Sequence, residues 1–379
     1  MSAAADGSIP AFSEYKLQTD KSARFAGRNK NREVFTMYEG KIHIHIENSR
    51  SSSPIFIATE GHVKALLKKN ADIVDKIHIT LGSSVVDPVE QWTEEDLKEY
   101  YDYMKTADIM VGFCFPTKDM ASYAPNLRWI HFISAGIEHA TPFDWVPEGV
   151  TIINNRGVHL PKSGESFAMF LAMLNAQMPC LATAQRNGKW DRIFTSVIKG
   201  KKLVIFGAGS QGGEIARQAH RMGLRVIAID PYVKEHPCCE AVYGIDRLKE
   251  ELADADFLAI AAPATEETRG FFNEEVLGWL PKHAGLMNIS RGALLDHDAL
   301  DRKLRNGELC CAILDVFEPE PLPADSILWK TPNLTITPHV SSDDVINYMP
   351  LTLDLTIENV RNELAGRPLK NIVDIKKEF

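Results

Sequence analysis

Residues 202–230, "KLVIFGAGSQGGEIARQAHRMGLRVIAID", constrain the fold more than any other part of the chain. An apolar β-type run enters "GAGSQG", which sets Gly207, Gly209 and Gly212 in G-x-G-x-x-G spacing. A helical pattern follows, and a second β-type run ends in Asp230. A glycine pattern alone is weak, but strand, loop, helix, strand and terminal acid within about 30 residues are the context that dinucleotide binding needs. Gly207 permits the tight turn, Gly209 lets backbone approach a pyrophosphate, and Gly212 lets the helix pack on the strand. The helix N-terminus supplies N–H donors to phosphate. Asp230 would accept hydrogen bonds from ribose hydroxyls and repel a 2′-phosphate, and no arginine follows it, so NAD is favoured over NADP.

Similar runs continue on both sides. The first part of the chain offers candidate strands at 41–46, 76–81, 108–113, 128–133 and 150–154. The second offers six, at 202–207, 225–230, 257–262, 285–290, 311–316 and 334–339. Short β-branched runs alternating with helical patterns predict α/β architecture with parallel sheets. The expected fold is two Rossmann-like domains. One is a six-stranded doubly wound parallel sheet that binds the dinucleotide, and the other a smaller flavodoxin-like substrate domain. The C-terminal pattern reads as a helix ending near Gly366 and returning to the first domain. This gives a discontinuous substrate domain (1–157 and 345–379) around an NAD-binding domain (158–344). Residues 1–39 carry turn formers and no assignable role.

Composition narrows the class. With 379 residues, 45% hydrophobic and 25% charged, the chain is that of an ordinary globular protein. The net charge of −9 argues against nucleic-acid or polybasic membrane partners. The basic stretch at 24–32 reads as a solvated arm. No charged-then-apolar leader opens the chain. The apolar block 167–178 is too short to cross a bilayer and predicts one buried helix. Of six cysteines, four form adjacent pairs, 238–239 and 310–311, which fit neither a disulfide framework nor zinc-ligand spacing. They read as reduced thiols of a cytoplasmic protein, and no metal is expected. His43 and His45 share a strand face without a visible third ligand and read as structural. Trp190 reads as a packing residue in preference to one lining an active site across a dimer.

Chemistry gathers at three strand ends, where ligands of open α/β sheets bind. "GLMNIS" is followed by Arg291, "CAILDV" carries Asp315 with Glu320 five residues on, and "LTITPH" ends on His339. Hydride transfer to a 2-oxo acid needs a planar cation for the carboxylate and ketone, which arginine supplies. It also needs a proton donor near neutral pH, which histidine supplies, and a carboxylate to favour the imidazolium. Arg291, His339 and Glu320 match these roles.

In this order, "GAGSQG", "PATEETRGFFNEEVL", "NISRGALLDHDAL", "AILDVFEPEPLPADSILW", "PNLTITPH" and "GRPLKNIVD" resemble the D-isomer-specific 2-hydroxyacid dehydrogenases, over roughly residues 105–375. The resemblance implies an NAD-dependent 2-oxo acid reductase with Arg291, Glu320 and His339 as catalytic trio. It implies Asp315 facing the nicotinamide carboxamide, Gln211, Thr268 and Ile289 as further cofactor contacts, and Ala135 and Gly136 of "SAGIEH" holding the substrate carboxylate. It also implies a homodimer built on the cofactor domains. Glu138 replaces a usual aspartate, Gln211 a usual aliphatic residue, and the serines of "PHVSSDD" a usual small-residue turn. The competing expectations are formate or phosphite oxidation, which Glu320 argues against, and a dinucleotide-binding corepressor or scaffold without turnover. Glu318 is expected to face water.

Overall fold

The apolar β-branched runs form strands that are buried on both faces in the interior of each sheet, as parallel sheets covered by helices require. The computed structural model describes residues 40–49, 53–82 and 88–375; the basic stretch at 24–32 lies outside them. In the first part, β1 (Ile42–Ile46), α1 (Glu60–Lys69), β2 (Ile77–Leu81), α2 (Glu94–Met104), β3 (Ile109–Gly112), α3 (Met120–Tyr123), β4 (Trp129–Phe132) and β5 (Thr151–Ile153) follow in turn. The five strands lie in the order β2-β1-β3-β4-β5, all parallel, the flavodoxin-like order expected.

A long helix, α4 (Leu160–Asn175), leads into α5 (Met178–Arg186) and the second sheet. There the chain runs β6 (Lys202–Phe206), α6 (Ser210–Arg221), β7 (Arg225–Ile229), β8 (Ala241–Tyr243), α7 (Leu248–Leu252), β9 (Phe257–Ile260), α8 (Glu274–Leu277), β10 (Gly285–Asn288), α9 (His297–Arg305), β11 (Cys311–Leu314) and β12 (Leu334–Ile336). The order is β12-β11-β10-β9-β6-β7-β8, all parallel. Strand order reverses between β6 and β9, which opens the ligand crevice at the carboxyl end of β6.

Three expectations are corrected. The second sheet has seven strands, not six. The added edge strand β8 is only three residues long and half-buried, too short to show a periodicity. The single helix expected over 167–178 breaks after Asn175, where Gln177 takes a left-handed φ of 52° and Pro179 stands in the first turn of α5, where its ring suits a start and opposes continuation. Trp190 is not packed: it is 94% exposed, beside exposed Phe194 and Val197 on the segment after α5. Among the described residues no single helix is long and apolar enough to cross a membrane.

The last helix, α10 (Tyr348–Leu364), returns to the first sheet, as its apolar face dictates. Met349, Leu353, Ile357 and Val360 share a core with Ile42, Ile44, Ile109 and Trp129. A buried polar network fixes the register. His131 of β4 bonds Thr356 (2.8 Å) and Asn155 (2.9 Å), and Asn155 donates to Thr352 (2.7 Å). His159 stacks on Tyr348 with ring centroids 3.8 Å apart. His43 and His45 are structural in the same sense. Both bond Thr80, and His45 also contacts Glu47 at 2.9 Å.

Burial lowers the pKa of His131, His159 and His43 from 6.5 to about 4, with the His45 and His78 rings adding to the effect on His43. Each group's folded pKa lies below its unfolded one. Their neutral forms therefore support folding fully above about pH 6.5, and the support is lost as pH falls through the folded values. Urea midpoints measured across that window should drop steadily, and His131→Gln should flatten the slope. A midpoint independent of pH there would contradict the assignment of these rings as neutral.

Candidate active site

The glycine loop has the geometry its sequence predicts. Gly207 takes a φ of +96° and lies against Ala262 backbone, and a Cβ on Gly212 would collide with the Gly207 carbonyl, so only glycine fits at either position. Open space lies beside Gly209. No side chain caps the first turn of α6, which leaves its N–H groups to a ligand or solvent. The buried Gln211 Oε1 has no hydrogen-bond partner among the described residues. An uncapped helix start, vacant space and an orphaned amide oxygen together fit a dinucleotide.

Asp230 ends β7 and reaches back to this loop. It accepts from the N–H of Ala208 (2.7 Å), Tyr232 and Val233 (2.8 Å each). Thr268 closes its own turn, donating to the Pro263 carbonyl (2.7 Å) and accepting from the Thr265 N–H (2.8 Å). Ile289 lies buried in the core under the sheet.

The second constellation forms where β10, β11 and β12 end. Glu320 Oε2 contacts His339 Nδ1 at 2.7 Å, and Glu320 Oε1 accepts from the Phe317 N–H at 2.8 Å. The hydrogen bond that Glu320 accepts from the imidazole, with the carboxylate charge, raises the His339 pKa against burial and the nearby Arg291 charge. Burial pushes the Glu320 carboxyl up, but the His339 hydrogen bond, the Phe317 N–H and the His339 and Arg291 charges prevail and lower it. The three sequence-predicted groups thus lie within electrostatic reach of one another. Glu318 is exposed and gripped by Arg269 at 2.7 and 2.8 Å, so it belongs to the surface.

His339 adopts a left-handed φ of 54°, an uncommon conformation that surrounding structure must hold. Asp315, only 1% exposed, does so. Its carboxylate accepts from the Thr337 hydroxyl (2.6 Å) and from the N–H of Val340 (3.1 Å) and Ser341 (3.2 Å). The serines that follow bind α4: Ser166 donates to the Ser341 carbonyl and Ser163 bonds Ser342, both at 2.8 Å. The sequence shows the acid at the strand end, whereas its hold on the histidine loop requires knowing that β11 and β12 are neighbours.

Arg291 spans the two sheets. Its Nε donates to Glu138 Oε1 (2.8 Å) and one terminal nitrogen to Glu138 Oε2 (3.2 Å), while the other donates to the Ser290 carbonyl (2.6 Å). The guanidinium lies against Gly136, where a Cβ would collide with it. Burial opposes ionisation of Glu138, but the Arg291 charge prevails and lowers its pKa. Ala135 is exposed beside this pair. Its carbonyl accepts from Asn154 (2.8 Å), and the Gly136 carbonyl accepts from Ser134 (2.6 Å). Two positioning groups escaped the sequence analysis. Glu138 stood out only as a departure from a pattern, and Asn288 read as strand interior. The fully buried Asn288 holds the arginine turn, donating to the Arg291 carbonyl (2.9 Å) and accepting from Ser290.

A two-sheet α/β protein with a glycine loop and an Arg–Glu–His cluster across its crevice defines a class of dinucleotide-dependent oxidoreductase folds, and comparison with known proteins specifies it. The model of the D-isomer specific 2-hydroxyacid dehydrogenase NAD binding domain matches residues 167–341. A glyoxylate reductase of Korarchaeum cryptofilum is 30% identical over 268 residues, covering 67% of this chain and 80% of that one. A D-3-phosphoglycerate dehydrogenase of Bacillus subtilis is 30% identical over 270 residues. That match takes in 69% of this chain but only 51% of the relative, so the chain spans about half the length of such enzymes. A solved D-isomer specific 2-hydroxyacid dehydrogenase family protein of Aeromonas salmonicida superposes with a TM-score of 0.70 at 27% identity, over 88% of this chain and 99% of that one. The chain belongs to the D-isomer specific 2-hydroxyacid dehydrogenase family.

Asp315→Ala would leave three donors without their acceptor, a loss of about 1–3 kcal/mol for each buried group stranded. Amide exchange at Val340 and Ser341 should accelerate and the urea midpoint should fall. Unchanged exchange at both amides would show that the carboxylate does not hold the loop.

Proposed function

We propose that this chain reduces a small 2-oxo acid, or oxidises the matching 2-hydroxy acid, with a nicotinamide dinucleotide in the crevice between the two sheets. The observation that carries this reading is the His339–Glu320 pair at 2.7 Å within electrostatic reach of Arg291. When bound, the dinucleotide supplies or accepts the hydride. Gly207, Gly209, Gln211 and Gly212 would hold its phosphates and Asp230 its ribose, with Thr268, Ile289 and Asp315 along its path. The acid at 230 supports NAD over NADP, because a 2′-phosphate would meet a carboxylate there.

Arg291 binds the substrate carboxylate with its planar fork and polarises the ketone. Glu138 must give up the fork for this to happen. The N–H groups of Ala135 and Gly136 would bind the same carboxylate. His339, kept protonated by Glu320, donates a proton to the ketone oxygen, and in the oxidative direction the neutral ring removes it. Asp315 keeps the imidazole in place through the loop backbone. The domain division at 157/158 and 344/345 follows the two sheets, with α10 completing the substrate domain. Exposed Trp190, Phe194 and Val197 support a homodimer formed on the cofactor domain. Sedimentation equilibrium tests the dimer, and a lower kcat/KM with NADPH than with NADH tests the cofactor preference.

Dinucleotide oxidation with glyoxylate, hydroxypyruvate, pyruvate, phenylpyruvate and branched 2-oxo acids tests the activity. Arg291→Ala should lower kcat/KM by about 100- to 1,000-fold while leaving NADH binding, followed by fluorescence, nearly unchanged. Wild-type turnover in that variant would refute the assignment, and absence of turnover on every acid would favour a binding protein. Glu320→Gln should move the alkaline limb of the reduction profile to lower pH. The raised pKa of His339 depends first on that carboxylate, and without it the proton is lost sooner. An unmoved limb would mean that another group titrates.

A further inference from the structure

Cys180 meets the adjacent pair Cys310 and Cys311 at the end of the second sheet opposite the crevice. Cys180 lies in the first turn of α5, Cys311 begins β11, and Cys310 precedes it. Their sulfur atoms all lie within 4.8 Å of one another. Cys180 and Cys310 are half-buried and Cys311 is buried, so the cluster is enclosed yet reachable from solvent. The surrounding backbone is already fixed. Cys180 Sγ donates to the Cys310 carbonyl (3.4 Å), the Cys310 N–H bonds the Ala284 carbonyl (3.1 Å), and one turn along α5 Thr183 accepts from the Asn333 N–H (2.7 Å).

From this geometry we infer that Cys180, Cys310 and Cys311 form a three-thiolate site for a thiophilic d10 cation, Zn²⁺, with a water completing the coordination. With Zn–S bonds of about 2.3 Å, tetrahedral geometry places sulfurs about 3.8 Å apart. The observed triangle needs to contract by about 1 Å at most, within reach of side-chain torsions. Thiolate ligands select zinc over hard cations such as magnesium or calcium. The adjacent pair 310–311 has no zinc-finger spacing, and the third ligand comes from 130 residues away, so the set is invisible in the sequence.

Hydrogen bonds from Cys180 and Cys311 lower the pKa of Cys310 against burial, helped by the charges of His283 and Lys201, while those of Cys180 and Cys311 rise. Coordination displaces the protons of the ligating thiols, so affinity increases with pH. The site joins α5, which leads to the exposed Trp190 segment, to the start of β11. Its role is structural and separate from the proposed hydride transfer.

Full-length protein reduced with a phosphine, then titrated with Co²⁺ and chased with Zn²⁺, tests this. One equivalent of Co²⁺ should give thiolate-to-cobalt charge-transfer absorption of the intensity expected for three sulfurs, and Zn²⁺ should abolish it and raise the melting temperature. Cys180→Ser and Cys310→Ser should each weaken binding more than about 100-fold, beyond the 10–100-fold that loss of an outer partner costs. The double variant Cys238→Ser/Cys239→Ser, which removes the thiols beside His236, should bind as wild type does. Absence of the charge-transfer band in wild type, or its survival in Cys180→Ser and Cys310→Ser, would overturn the site. So would its loss in the 238/239 variant alone. Because the readout needs no turnover, its outcome is independent of the 2-oxo acid assignment.

Discussion

The carboxylate of Asp315 is the anchor on which the His339 side of the crevice depends. It ends a fully buried strand and its oxygens are taken up by three donors of the 337–341 loop. A buried carboxylate is costly unless hydrogen-bonded in this way. That requirement fixes the loop, and the loop fixes a histidine whose left-handed backbone would otherwise relax. The imidazole then meets Glu320, whose other oxygen is held by the Phe317 N–H. One strand end and the turn after it thus supply the acids that place and charge the histidine.

Parallel topology makes this economical. All strands of a sheet point their carboxyl ends to one edge, so groups from β10, β11 and β12 converge although roughly 25 residues separate each from the next in sequence. The first sheet contributes its own carboxyl edge through the 134–138 turn after β4. The C-terminal helix, tied to β4 by the His131–Asn155–Thr352 network, begins only a few residues after the His339 loop. That loop is therefore held at one end by the second sheet and at the other by a helix seated on the first.

Where the sequence is periodic or punctuated, it is informative. Eleven strands, the glycine loop, the terminal acid and the Arg–Glu–His trio are visible because each depends on local pattern or short spacing. What escaped depends on distance or length. β8 is too short to carry a period, and the break at Gln177 is a backbone conformation whose only mark in the sequence is Pro179, just past the apolar block. Trp190 read as packed because its type is usually buried, while the chain leaves it outside the core. The Cys180–Cys310–Cys311 cluster and the Glu138 contact join residues more than 100 positions apart, and no single-sequence signal spans that gap. The acid at 315 was found, but its partners were not.

The Arg291–Glu138 pair implies that this crevice is never electrostatically empty. The guanidinium already holds a carboxylate in two-point geometry, so on the proposed function an arriving acid would have to displace a tethered anion. Much of the Coulomb attraction that would draw a carboxylate to a bare arginine is offset by Glu138. Selectivity among acids would then fall on what the tethered glutamate lacks: a carbonyl beside the carboxylate, within reach of His339. A simple carboxylate would offer the fork nothing that Glu138 does not, while a 2-oxo acid would.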